Sequence, residues 1–240
     1  FGCVGIDLTS EGVTLGTGGA VLMLALAQPA FNLTSDNWLK AQDLAVTFLD
    51  RYGTEVGRRG IKHDDSLRLD DFPDIMIKAL VSTEDRRFYS HFGVDLRGTA
   101  RAAFVNWRSG STVQGGSSIT QQVAKLLFFD NTRTMERKLK EIPAALALEW
   151  KFTKDEILTI YLNRAYLGAG ATGFEAASQR YFGKSAAEVG PSEAAMLAGL
   201  LRAPSRFAPT NDLSRAQERA RTILGLMERE GYLTPQQAAV

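Results

Sequence analysis

A single cysteine, Cys3, excludes an internal disulfide, and two histidines, His63 and His91, leave no Cys/His framework for structural or catalytic zinc. An excess of charge of one sign is also lacking. Against 28 Lys+Arg stand 27 Asp+Glu, and a net charge of +1 gives no whole-chain footprint for nucleic acid, only room for a local basic patch that meets phosphate. Residues 60–240 have almost no long alternating strand pattern, no fixed-period repeat, no low-complexity tract and no proline-rich linker, and so read as one globular unit. What is present is 45% hydrophobic residues in 240, enough to bury a sizeable core.

One stretch stands apart. Gly12 to Ser35 carries no charged side chain, and its centre reads GGAVLMLALA. As a helix of roughly 24 residues it would reach about 36 Å, more than the hydrocarbon layer of a bilayer. Gly12, Gly16, Gly18, Gly19 and Gln28-Pro29 weaken a helix in water, though membranes tolerate them. Residues 1–36 are therefore expected to form an N-terminal membrane anchor, with a signal-peptide core or a buried core helix as the alternatives. The chain starts at Phe1 with no Lys or Arg before the apolar run, which reads as a trimmed cytoplasmic start.

The rest, 37–240, is expected to be mainly α. Trp38, Leu39, Leu44 and Phe48 have partly helical spacing and precede RYGTEVGRRG, which predicts a helix followed by a small hairpin. Pro73 stands near a helix start, and Ile77, Leu80, Val81 and Phe88 then share one apolar face. Capping-box patterns mark further starts at Thr153/Glu156, Ser185/Glu188, Ser214/Gln217 and Thr234/Gln237. The aromatic and glycine-rich run 161–184 predicts close packing around Ala176 and Ala177.

Candidate chemistry begins with Glu84, which falls on that apolar face. An inward carboxylate is costly unless paired, protonated or used, and partial burial suits it to acid–base work. The alternative is an exposed helix end paired with Arg86 or Arg87. In RKLKE, Arg137 and Lys138 share a helical face with Glu141, either as a solvated ion-pair cluster or as a site for a phosphate-bearing substrate, with Lys125 and Arg133 near in sequence. Between them RSGSTVQGGSSITQQVAK runs from a Gly/Ser loop into a helix starting near Ser117 or Ser118. Such a loop either is only flexible or offers N–H groups and the side chains of Ser117, Thr120, Gln121 and Gln122 to sugars or phosphates. It lacks the P-loop spacing. His91 reads as a hydrogen-bonded structural histidine in preference to a base.

These segments together resemble the peptidoglycan glycosyltransferase family, the membrane enzymes that polymerise lipid II and form the amino-terminal module of class A penicillin-binding proteins. EDRRFYSHFGVD from Glu84, GGSSITQQVAK from Gly115, RKLKE from Arg137, YLNRAYLGAGATGFEAASQRYFGK and EAAMLAGLLRAPSRFAPT are similar to its five motifs, in order. Ser118 stands where threonine is common and keeps the hydroxyl, with little effect expected, whereas Leu126 stands where asparagine is common and puts an apolar side chain in place of one polar contact, touching neither carboxylate.

The resemblance implies a lysozyme-like helical lobe holding both glutamates and a smaller membrane-proximal lobe, on the outer face of a bacterial cytoplasmic membrane. It implies catalytic Glu84 and Glu141. Ser117, Gln121, Gln122, Lys125, Arg133, Arg137 and Lys138 would bind the donor, a growing glycan on undecaprenyl pyrophosphate. Lipid II would be the acceptor, moenomycin an inhibitor, and cell-wall synthesis proteins possible partners. Glu141 would orient Lys138 or help hold a divalent metal such as Mg, and no organic cofactor or nucleic acid is implied. A muramidase or lytic transglycosylase is the alternative, since a helix-end glutamate also suits glycosidic cleavage. No Ser-x-x-Lys transpeptidase motif occurs, and the end at Val240 reads as a cut within a longer protein.

Overall fold

The computed structural model describes residues 46–49, 51–52, 55–59, 67–111, 115–129 and 134–239. The expected anchor at 1–36 lies outside them. Among the described residues no helix is long and apolar enough to cross a membrane.

The chain enters through an antiparallel pair, β1 (Val46–Leu49) and β2 (Glu55–Arg59), which matches Val46 with Arg59 and Phe48 with Gly57 before a bulge between Phe48 and Leu49. The predicted helix does not extend over 46–49. β-branched Val46 and Thr47 next to an aromatic favour an extended chain, and pairing with β2 gives their backbone groups partners. Trp38 to Ala45 lie outside the described residues.

The body is helical, as expected. α1 (Asp74–Glu84) follows Pro73 as its N-cap residue. α2 (Leu96–Ser109) is capped by the Asp95 carboxylate accepting from Gly98 N–H and ends at Gly110 with φ 64°. α3 (Ile119–Phe128) starts at Ser118, whose hydroxyl accepts from Gln121 N–H while the Gln121 side chain accepts from Ser118 N–H, a reciprocal cap. α4 (Met135–Lys151) and α5 (Lys154–Arg164) are separated by Phe152 and the Thr153/Glu156 capping box that the sequence predicts. A short pair, β3 (Tyr166–Gly168) and β4 (Ala171–Thr172), leads into α6 (Phe174–Phe182). α7 (Pro191–Leu200), the short α8 (Pro204–Phe207), α9 (Leu213–Arg229) and α10 (Pro235–Ala238) complete the chain.

Two predicted caps are different in detail. Ser214 and Gln217 lie inside α9, because Asp212 two residues earlier accepts from Arg215 N–H and starts the helix. Ser185 caps only a single 3-10 turn, and its partner is Glu175 of α6 instead of Glu188. Packing near 176–177 also shifts by one position, since Ala177 and Ser178 are buried and Ala176 is exposed.

α7 is the centre of the core. Its Ala194, Ala195, Leu197, Ala198 and Leu200 are fully buried, and the small side chains let α1 and α9 approach it closely. At Gly199 a Cβ would stand 2.9 Å from Arg219 Cγ, so the missing side chain is what lets the stem of Arg219 cross α7. Gly173 is constrained more severely. It has φ +87°, and a Cβ there would meet Asn163 O at 2.7 Å. Asn163 in turn holds both backbone groups of Leu67, at 3.1 and 2.8 Å. Gly173→Ala is expected to lower the unfolding free energy by about 2 kcal/mol or more, measured by urea denaturation, because strain and backbone overlap coincide.

Candidate active site

Glu84 is the last residue of α1, where the helix's unpaired carbonyls disfavour a negative charge. It is half-buried at the wall of a cavity of about 720 Å³. Neither of its arginine neighbours takes it. Arg86 pairs with Glu230 at 2.7 Å, and Arg87 pairs with Asp95. Its hydrogen-bond donor is Gln122 Nε2, at 2.8 Å to Oε2, and Gln122 Oε1 accepts from the buried Tyr161 hydroxyl at 2.9 Å. Burial pushes the Glu84 carboxyl above the usual carboxylate range; Gln122, Arg219 and Arg202 counteract this and Asp85 adds to it. The result is a carboxylate that binds a proton more readily than one in water.

The next residue also lines the cavity but is tied to α3. Asp85 is buried, and its Oδ2 accepts from Ile119 N–H of α3 at 3.1 Å and contacts His91 Nε2 at 2.9 Å. One of α3's unpaired amino-terminal donors is satisfied there, and a negative charge at that helix end is favourable. The hydrogen-bonded structural histidine expected at 91 is thus present. Burial works to raise the Asp95 carboxyl, but Gly98 N–H and the Arg87 guanidinium outweigh it and hold it below the usual range.

Glu141 lies on α4 and is only 2% exposed, which removes the solvated-cluster reading. Arg137 donates to its Oε1, and Lys138 Nζ reaches Oε2 at 2.5 Å. The same ammonium group donates to Ser117 Oγ at 2.7 Å, so the loop before α3 is fastened to α4. A buried carboxylate paired with two cations is costly to break but adds little net stability, which points to a use other than folding.

The cavity brings together Glu84, Glu141, Ser117, Gln121, Gln122, Lys125, Arg137 and Lys138. Gln121 contributes mainly by capping α3, since its Oε1 is engaged by Ser118. Arg133 lies outside the described residues. Leu126 is exposed and does not line the cavity, which accounts for the loss of a polar group there at no cost to the wall. Eight cationic side chains, Arg86, Arg87, Arg101, Lys125, Arg137, Lys138, Arg202 and Arg219, line the cavity against four carboxylates, Glu84, Asp85, Asp95 and Glu141. That excess suits a multiply charged anion.

Glu141 is a poor metal ligand as placed: both its oxygens are occupied by cations, and among the described residues no group of three or more His, Cys, Asp or Glu side chains is arranged to hold a metal ion.

Sequence reasoning missed Arg202, Arg219 and Tyr161. Arg219 follows the same rule as Glu84, since it lies among buried Ala216, Ala220 and Ile223 on the inward stripe of α9. Its buried Nε has no hydrogen-bond partner, and burial, aided by Arg202, lowers its pKa.

Residues 53–228 match the family model described as Transglycosylase. The chain is 46% identical over 202 residues to penicillin-binding protein 1A of Aquifex aeolicus, covering 84% of this chain and 28% of that protein. It is 46% identical over 185 residues to penicillin-binding protein 1A of Escherichia coli, covering 77% and 22%. With penicillin-binding protein 1F of Bacillus subtilis it shares 37% identity over 190 residues, covering 79% and 27%. It therefore spans roughly a quarter of the length of these curated relatives.

A carboxyl raised by burial costs stability wherever it must ionise. The cost is absent below the pKa of the unfolded chain, grows as pH rises toward the folded value, and is complete above it. Glu84→Gln is therefore expected to stabilise the fold by about 1 kcal/mol at pH 8, with the gain fading as pH falls toward the ordinary glutamate range and absent below it, measured by denaturation at several pH values.

Proposed function

The chain belongs to the transglycosylase family, and from that premise we propose that it polymerises lipid II into β-1,4-linked glycan strands by inverting glycosyl transfer. The observation that carries the proposal is one cavity with two carboxylates in opposite surroundings: Glu84 meets an amide, and Glu141 is held between two cations.

In this reading Glu84 takes the proton from the acceptor GlcNAc 4-hydroxyl. A partly desolvated carboxylate with a raised pKa is the stronger base, and ionisation above that pKa makes it available. The acceptor oxygen then forms a bond to the donor MurNAc C1 as the bond from C1 to the undecaprenyl pyrophosphate oxygen breaks, and α becomes β. Charge grows on the departing pyrophosphate. Lys125, Arg137 and Lys138 line the cavity wall, the latter two fixed by Glu141, so their attraction to the growing charge is larger in the transition state than in the ground state. Glu141 keeps Arg137 and Lys138 in place, and Lys138 carries Ser117 with it. Moenomycin, a phosphoglycolipid, would occupy the same cationic part of the cavity.

α2 supports a membrane-proximal lobe. Of its fourteen residues only Ala102 is buried, while Leu96, Phe104 and Trp107 are 76%, 57% and 79% exposed on one side. Arg97, Arg101 and Arg108 lie on the same helix, and Gly98 and Arg101 line the cavity. An apolar stripe with Trp and Arg suits the boundary of an anionic bilayer, from which a lipid-linked substrate enters. In this reading the chain works on the outer face of a bacterial cytoplasmic membrane, where a lysozyme-like lobe carrying α1, α3 to α7 and α9, and with them both glutamates, stands above the lipid.

The test is incubation of detergent-solubilised protein with labelled lipid II, the products being separated on gels before and after muramidase digestion. Muramidase-sensitive polymer is expected from the native chain. Glu84→Gln should lower the rate by about 10²–10⁴-fold with the fold intact. Cleavage of preformed glycan in place of polymer would contradict the proposal. A second outcome concerns α2: in a chain that starts at residue 37, replacing Phe104 and Trp107 by Ser is expected to weaken sedimentation with anionic vesicles at least tenfold, and unchanged binding would remove α2 from the membrane contact.

A further inference from the structure

Glu84 is held by one hydrogen bond to an amide, and an amide can face either way. Reversed, Gln122 would set its carbonyl oxygen against the Glu84 carboxylate, acceptor against acceptor. What fixes the orientation lies on the far side of Gln122. The Tyr161 hydroxyl, on α5, donates to Gln122 Oε1 at 2.9 Å, and Gln122 Nε2 donates to Glu84 Oε2 at 2.8 Å. With the amide reversed the phenol proton would lose that acceptor.

We propose that Tyr161 is a positioning residue that orients the Gln122 amide toward Glu84 and so sets how readily Glu84 gives up its proton. It touches no substrate, since it is 2% exposed and does not line the cavity. This inference rests on the reading of Glu84 as the base.

The surroundings leave few other ways to fix that amide. Glu84 is faced by Gln122 from α3, by Arg219 from α9, by Arg202 just beyond α7 and by Asp85 next to it in the chain. The two arginines act through space, and Asp85 is engaged with Ile119 and His91. Gln122 is the direct contact, and Tyr161 holds its other end. Burial raises the Tyr161 phenol well above its usual range, and the Glu84 charge adds to this, so Tyr161 stays a hydroxyl donor throughout the working pH range.

The sign of the effect follows. Gln122 lowers the pKa of Glu84, so loosening it raises that pKa, and a base with a raised pKa is ionised only at higher pH. Tyr161→Phe removes the donor and keeps the ring. In the full chain in detergent it is expected to move the acidic limb of the lipid II polymerisation profile to higher pH, with about a tenfold loss on the acid side and recovery on the alkaline side. Gln122→Met should move the limb the same way, and the double variant no further than Gln122→Met alone.

Titration of the Glu84 carboxyl by ¹³C NMR, its signal identified by its loss in Glu84→Gln, reads the same shift without activity. A folded Tyr161→Phe whose profile is lowered evenly at all pH values would overturn the inference, as would additive single variants. If the native chain makes no polymer, the proposed function fails, and the NMR titration still decides the role of Tyr161: an unmoved Glu84 titration overturns it.

Discussion

Asp85 is the constraint on which the site depends. A single buried carboxylate oxygen meets both Ile119 N–H and His91 Nε2, and thereby ties the carboxyl-terminal end of α1 to the amino-terminal end of α3. That junction fixes Glu84 relative to α3. With Asp85 fastened to α3, Glu84 is held beside it at the cavity wall, and because α3 begins at Ser118, Gln122 is one turn along and reaches Glu84. Lys125 follows another turn later at the cavity edge. Ser118 strengthens the arrangement by donating to Gly93 O, from the turn that carries His91. A break at Asp85 would therefore scatter Glu84, Gln122 and Lys125 together.

The second half of the cavity is built on electrostatics in place of helix-end geometry. Glu141 is buried where two cations converge, and the cations remain at the surface of the cavity instead of folding away into solvent. Such an arrangement contributes little to stability, and an inward Glu84 subtracts from it. The compensation lies elsewhere, in the tight alanine-rich packing of α7 against α1 and α9 and in the reciprocal caps of α3 and α5. The fold thus places its costly groups along one cavity and its inexpensive packing behind it.

Much of this was legible in the sequence where short-range rules decide. Ser118, Thr153 and Thr234 lie at helix starts because a cap is a contact over three residues, and Pro73 because its fixed φ and missing N–H suit a helix start. Glu84 and the Glu141 triplet were legible for the same reason, as charges read against a helical period. What was not legible depends on distant partners. The strand at 46–49 needs β2 to complete its hydrogen bonds, and Ser185 answers to Glu175 of the preceding helix. Arg202 and Tyr161 gain meaning only once α5, α7 and α9 close around Glu84. Arg219 was within reach, since the inward-charge argument applied to Glu84 holds equally on α9.

The central claim is a division of labour between the two carboxylates, with proton transfer at Glu84 and pyrophosphate held at the Glu141 side. The most direct measurement is equilibrium binding of an undecaprenyl pyrophosphate analogue to the native chain, to Glu84→Gln and to Lys138→Met. Binding by Glu84→Gln within about twofold of native, beside a loss of tenfold or more in Lys138→Met, is the predicted result. Equal losses in both variants, or a loss confined to Glu84→Gln, would contradict it.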